Sequence, residues 1–309
     1  MNDLVRIPVV FTIDKKFLPP AYVAITSLVD NAKKNTSYDI IVLYQGKVDK
    51  RVQKLYEVIS NSTHKMRIED ISSVKINAPK VSKCWPKVVY VCLYLSSILE
   101  AYDKVIFSDV DVLFLGDLSQ IFNVDITEYE WGGVAAELNN EEAVMHQYYS
   151  DNSHRYIYWT GFMLMNLKKM RESNWEKRCN DNLKKYQNRL FMFDLEIMNL
   201  TAKKIKRIPI RYVYLQALYD AADIAKAEEF EWLSKVYTKE ELEEEKKKAV
   251  IVHYAGVVGN IGKIWLRIKP AEYYNRYLKQ LPPQLKWQNS IQKYKENIKV
   301  LLKIILGKR

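Results

Sequence analysis

Apolar positions follow two rhythms in the first 115 residues. The runs IPVVFTI (7–13), YDIIVLY (38–44), KMRIEDI (65–71) and KVIFSDVDVLFL (104–115) have the length and β-branched content of strands. Between them, PPAYVAITSLVDNA (19–32) and VDKRVQKLYEVISNS (48–62) read as helices, the second placing Val52, Leu55 and Ile59 on one stripe. Strands interleaved with helices predict an α/β domain with a Rossmann-like first half. Ligands of such open sheets bind at the carboxyl ends of the strands.

The second half is less regular. Trp131–Val134 and Tyr158–Leu167 read as strands, and Glu141–Ser153 as a polar, Tyr-rich connection. Thr238–Lys248 opens with a capping box, Thr238 and Glu241, and offers the pairs Glu243–Lys247 and Glu244–Lys248, as a solvated helix does. Leu281-Pro282-Pro283 reads as a hinge into a tail where Trp287, Ile291, Tyr294, Ile298, Leu301, Leu302 and Ile305 recur at steps of three and four. The expected organisation is a main domain over 1–268 and a helical appendage over 269–309.

Composition sharpens this picture. A chain of 309 residues with 48% hydrophobic content can bury a full core. The net charge is +11, yet residues 284–309 hold seven basic side chains against one acid, Glu296, so more than half of the excess sits in the tail. That concentration argues for a basic helix meeting an anionic membrane surface, and against a domain shaped for nucleic acid, for which there is no motif. The three cysteines, Cys84, Cys92 and Cys179, lack metal or redox spacing and read as reduced thiols. No run of about 18 apolar residues and no leader-like start is present, so the expected location is the cytoplasm, peripheral at the inner face of the membrane.

The chemistry concentrates in SDVDV. Asp109 and Asp111 flank Val110 inside an apolar run; in a strand both carboxylates point one way and repel. Charges beside an apolar sheet call for a cation or a set of donors. Either a divalent metal answers them, or the strand ends at Ser108 and both acids are solvated. Asp-Val-Asp-Val also fits the nucleophile segment of a haloacid-dehalogenase-like phosphatase, with Asp109 as nucleophile and Asp111 as acid/base. That family opens with this strand, whereas here it comes fourth, and no later acidic pair follows an apolar strand.

Five segments in order add a further signal: VVFTIDKKFLPPAYVAITSL, YDKVIFSDVDVLFLGDLSQIF, YWTGFMLMNLKKMRE, FDLEIMNL, and AVIVHYAG followed by Lys263 and Trp265. Together they resemble glycosyltransferase family 8, which includes bacterial lipopolysaccharide galactosyl- and glucosyltransferases and glycogenin, over nearly the whole chain. The resemblance implies a GT-A fold and a Mn²⁺ or Mg²⁺ ion held by Asp109, Asp111 and His253. It also implies a UDP-sugar donor met by Thr12, Asp14, Val110, Gly256 and Lys263, and an acidic pair, Asp194 and Glu196, beside the donor sugar. Read from the residues alone, Asp14 is equally a turn residue, Lys263 a solvated one, His253 a core histidine and Asp194 a helix N-cap.

Departures from the family pattern fall on sugar-facing positions. Cys92 stands near the place of an expected arginine, Trp159 replaces Asn, Leu195 replaces Gln, and six residues separate Gly256 from Lys263 where two or three are usual. The expected function is metal-dependent, anomer-retaining transfer of galactose or glucose onto a bacterial surface glycan such as a lipopolysaccharide or capsule precursor. The alternatives are a serine-rich adhesin glycan as acceptor, the phosphatase, and an inactive glycan- or nucleotide-binding domain.

Overall fold

The structure, a computed structural model, describes residues 5–55, 63–75, 87–255 and 271–305. Gly256, Lys263, Trp265, Cys84, Ile59 and the side chains beyond Ile298 lie outside what is described here.

The strand-rich start folds as its pattern requires. β1 (Val5–Asp14) lies between β2 (Thr36–Gln45) and β4 (Lys104–Ser108), and β2 carries β3 (Lys65–Asp70) at its other side, all in parallel. Strands buried on both faces read as continuous apolar runs, and Ile40, Ile41, Val42 and Leu43 are all fully buried. The sheet continues through β8 (Phe162–Asn166) and β6 (Trp131–Leu138), both antiparallel to their neighbours, to β7 (Tyr156–Tyr158), with β9 (Ile205–Ile208) parallel to β6. A smaller sheet orders β10 (Tyr214–Leu215), β11 (Ile251–His253) and β5 (Val112–Phe114). This mixed α/β architecture with a parallel-rich central sheet is the GT-A type of fold.

Two expected strands are broken, for one reason. KVIFSDVDVLFL is not one strand: β4 ends at Ser108, and the chain bends through Asp109–Asp111 into β5 of the other sheet. Likewise Trp159–Gly161 separates β7 from β8. Polar and glycine positions interrupt both runs, the first where the chain passes from the large sheet to the small one and the second between two strands of the large sheet, and the two breaks meet at the site.

The capping box is present: Thr238 Oγ1 accepts from Glu241 N (3.1 Å) and Glu241 accepts from Thr238 N (2.8 Å). Lys248 pairs with Glu244 as expected, but Lys247 turns to Glu244 (2.8 Å) and not to Glu243.

After the Leu281-Pro282-Pro283 turn, the helix Pro283–Ile305 starts against the domain. Leu281 and Leu285 join the main core, while Tyr274 and Tyr277 pack with Val23, Leu113, Val252 and Tyr254. Gln288 Nε2 donates to the Lys15 carbonyl (2.6 Å) and Gln292 Nε2 to that of Lys16 (3.2 Å). The polar Gln288–Asn289 side thus faces inward, and Trp287, Tyr294 and Ile298 are 66%, 69% and 41% exposed. None of the described helices is long and apolar enough to cross a membrane.

Candidate active site

The parallel register that aligns Val10 with Phe107 brings the ends of β1 and β4 to one edge. Thr12 and Asp14 close β1 there, and Asp14 caps the following turn by accepting from Lys16 N (2.7 Å). Asp109 leaves β4 with its N–H donating to the Gly161 carbonyl (2.8 Å), and the buried Val110 anchors the bend from behind. His253 ends β11, paired with Val112, and Tyr254 N donates to the Asp111 carbonyl (2.9 Å). The small sheet therefore delivers two side chains to the gap, His253 from the end of β11 and Asp111 from the entry to β5.

Asp109, Asp111 and His253 converge there, each offering a ligand atom within 4.8 Å of the others. His253 Nε2 lies 3.3 Å from Asp111 Oδ1 and 3.7 Å from Asp109 Oδ2. Burial and the neighbouring Asp111 push the Asp109 carboxyl up. Burial opposes charge on His253, but the hydrogen bond and charge of Asp111, with Asp109, outweigh it and raise its pKa. A divalent cation relieves this crowding, since its charge answers both carboxylates at once. Two carboxylates and an imidazole form the hard oxygen and nitrogen set that Mn²⁺ or Mg²⁺ accepts. The residues fit such an ion.

Gly161 makes the convergence possible. A Cβ there would stand 2.4 Å from His253 Cε1 and 3.0 Å from Asp109 Oδ2. Its neighbour Thr160 donates from Oγ1 to Asp194 Oδ2 (3.0 Å), and the buried Cys92 thiol points at the same oxygen (3.9 Å). Burial pushes Asp194 up to about 7, with the Thr160 bond working against that rise. Asp194 lies within electrostatic reach of Asp109. In the sequence Thr160 and Gly161 are visible only as part of the segment YWTGFMLMN that resembles a family strand, with no role attached to either.

Glu196 is placed differently from Asp194. It is 3% exposed, and its oxygens accept from the Tyr149 hydroxyl (2.9 Å), Phe191 N (2.8 Å) and Met192 N (3.0 Å). It holds the loop before the helix Asp194–Thr201, while Leu195 is buried.

Comparison with known proteins gives the family and the fold. Residues 8–269 match Glycosyl transferase family 8, and the chain belongs to that family. It is 26% identical over 209 residues to a putative glycosyltransferase of Haemophilus influenzae, matching 66% of this chain and 62% of the relative's length. It is 22% identical over 285 residues to the lipopolysaccharide 1,2-glucosyltransferase of Escherichia coli K12, covering 89% of this chain and 78% of that one. Among solved structures it resembles the bifunctional glycosyltransferase WbbM, with a TM-score of 0.71 and 20% identity over 96% of this chain but 52% of WbbM. The galactosyltransferase LgtC, solved with donor and acceptor sugar analogues, gives a TM-score of 0.70 at 18% identity, covering 91% of this chain and all of LgtC. These structural likenesses establish the GT-A fold.

Proposed function

We propose that this glycosyltransferase moves galactose or glucose from a UDP-sugar onto a bacterial lipopolysaccharide or capsule precursor, with retained anomeric configuration. The observation that carries the reading is the Asp109–Asp111–His253 trio at the carboxyl edge of the sheet, within a chain of family 8. A bound Mn²⁺ or Mg²⁺ would act as a Lewis acid toward the departing diphosphate. The protein's part is to fix the donor set: backbone bonds to Gly161 and Asp111 anchor the bend and β11, and Gly161 leaves the room. Thr12, Asp14 and Val110 border the nucleotide on this reading, with Gly256 and Lys263 completing the diphosphate site.

Leu195 cannot attack the sugar, so the reading has the acceptor attack from the face the diphosphate leaves, its proton passing to the leaving phosphate. Asp194, held by Thr160 and Cys92, answers positive charge at the sugar or orients the acceptor hydroxyl. Glu196 acts as a positioning residue through the Phe191–Met192 loop. Family membership favours transfer over the phosphatase reading of Asp109.

The tail is the proposed membrane contact, at the inner face of the cytoplasmic membrane. Trp287, Tyr294 and Ile298 share one outward face, and Lys286 and Lys295 are exposed beside it. Lysines near anionic lipid contribute about 1 kcal/mol each. The decisive experiment for the whole reading is incubation with UDP-galactose and UDP-glucose with and without Mn²⁺. Cation-dependent release of UDP supports it; release of inorganic phosphate from a phospho-Asp109 enzyme contradicts it.

A further inference from the structure

A shallow, solvent-open groove lies between two loops on the Glu196 side of the site, lined by Val144, Gln147, Asn188, Arg189 and Phe191 among others. Phe191 is 66% exposed and Val144 48%, so each wall presents an apolar side chain to solvent.

Each wall is held by a buried carboxylate. Glu137, 2% exposed at the end of β6, accepts from the backbone N–H of Val144 (2.6 Å), Met145 (3.1 Å) and His146 (2.8 Å), and pairs with His146 Nδ1 (2.7 Å). Glu196 does the same for the other wall through Phe191 and Met192. Gln147 ties the walls together: with its amide turned so that the nitrogen faces the surrounding acceptors, it donates to the Arg189 carbonyl (2.6 Å) and to Glu196 Oε1 (3.1 Å). Burying a carboxylate costs several kcal/mol unless hydrogen bonds offset it. Two such groups spent on surface loops, which are otherwise the most mobile part of a fold, keep an exposed groove in one shape.

The groove's chemistry selects its occupant. A flat aromatic face beside planar amide and guanidinium donors matches a pyranose, whose C–H face lies on the ring while its hydroxyls meet the planar groups. Among the lining side chains Arg189 is the one permanent cation and His146 is turned to the Glu137 carboxylate, so a nucleic acid or polyphosphate finds little charge there. The groove lies next along the chain to a residue of the reaction site: two residues, Met192 and Phe193, separate Phe191 from Asp194, Phe193 turns the chain at φ 52°, and the Glu196 that fixes Phe191 belongs to the helix Asp194 begins. We infer that this groove binds the acceptor glycan, holding sugar units beyond the one that receives the hexose. The inference rests on the glycosyltransferase reading above.

The test uses the full chain and the deacylated core oligosaccharide of rough lipopolysaccharide as probe. Dissociation constants for the oligosaccharide by saturation-transfer NMR and for UDP with Mn²⁺ by calorimetry are compared for wild type, Phe191→Ala and Asn188→Ala/Arg189→Ala. The expected result is oligosaccharide binding weakened about tenfold or more in both variants, with UDP binding unchanged. Wild-type oligosaccharide affinity in both variants overturns the inference, as does parallel loss of UDP binding or a wild type that binds UDP but not the oligosaccharide. A wild type that binds no UDP with Mn²⁺ instead refutes the donor reading on which the inference rests. Phe191→Tyr, which keeps the ring, should restore binding and so separates a lost platform from a disturbed loop.

Discussion

Gly161 and His253 occupy space that only one of them can fill: a Cβ on the glycine would stand 2.4 Å from the imidazole Cε1. The contact is to the ring of a buried side chain flanked by two strands, so it cannot be relieved by a flexible tip. Gly161→Ala should push His253 off its position against Asp109 and Asp111 and weaken Mn²⁺-dependent UDP binding by about tenfold or more, as displaced metal ligands do. Calorimetric titration of UDP with Mn²⁺ measures it, and circular dichroism checks that the fold is kept. Unchanged binding would show that the imidazole has room to move.

Asp194 is held by the Thr160 hydroxyl at 3.0 Å, with the Cys92 thiol only a weak contact at 3.9 Å. Thr160→Val removes a hydroxyl bond to a carboxylate, worth about 1.5–3 kcal/mol, and should lower kcat about tenfold or more with little change in the KM for the UDP-sugar. Cys92→Ser should preserve kcat, because the thiol lies 3.9 Å from Asp194 and nearer, at 3.4 Å, to the Val89 carbonyl, so exchanging it leaves the Thr160 bond in place. Equal losses in both variants would mean that packing around Asp194, and not its orientation, was disturbed.

Glu137 sets a pH dependence whose sign is fixed. Burial works against its charge, but the His146 bond and the Val144 and Met145 amides outweigh it and hold the carboxyl below the ordinary glutamate value of 4.5. A depressed carboxyl stabilises the fold above the unfolded-state pKa, and that contribution is lost as the pH falls through the folded value. Wild type should therefore lose stability below about pH 4.5 more steeply than Glu137→Gln, while at pH 7 the Gln variant should be less stable by about 1–3 kcal/mol. Urea melts at several pH values compare the two slopes.

The C-terminal helix divides into a docked and an outward face. Deleting 284–309 removes the buried Leu285 and the bonds to the Lys15 and Lys16 carbonyls, so it would disturb the loop beside Asp14 along with any lipid contact. Trp287→Ser/Tyr294→Ser/Ile298→Ser avoids this, because all three are exposed. That variant should keep its Tm and UDP affinity while losing salt-sensitive sedimentation with anionic vesicles. Leu285→Ala, in contrast, should cost about 2–5 kcal/mol of stability. Vesicle binding that survives the triple change would locate the lipid contact elsewhere.

Much of this was legible in the residues. Continuous apolar runs gave the parallel strands because such strands are buried on both faces, and the Thr238–Glu241 capping box is local chemistry that needs no tertiary context. The acid pair was legible as a candidate cation site and His253 joined it through the family resemblance, though the way the three are brought together was not legible. Period and propensity cannot tell one strand of twelve residues from two strands in different sheets, and the bend at Asp109–Asp111 is imposed by where the second sheet packs. The partners of Asp194 and Glu196 lie 34 and 47 residues away in Thr160 and Tyr149, distances at which no local pattern reports contact. For the same reason Glu196 looked equivalent to Asp194 in the sequence, yet its oxygens are occupied by the loop it carries.

The account's central claim is that Asp109, Asp111 and His253 hold a divalent ion that a UDP-sugar requires. Its most direct measurement is UDP release from UDP-galactose and UDP-glucose by wild type and by Asp111→Asn, in Mn²⁺ and again in excess chelator. The account predicts turnover by wild type in Mn²⁺ with at least one of the two donors, abolished by the chelator and reduced about a hundredfold or more in Asp111→Asn. Full wild-type turnover in the chelator, or an Asp111→Asn enzyme as active as wild type, would contradict it.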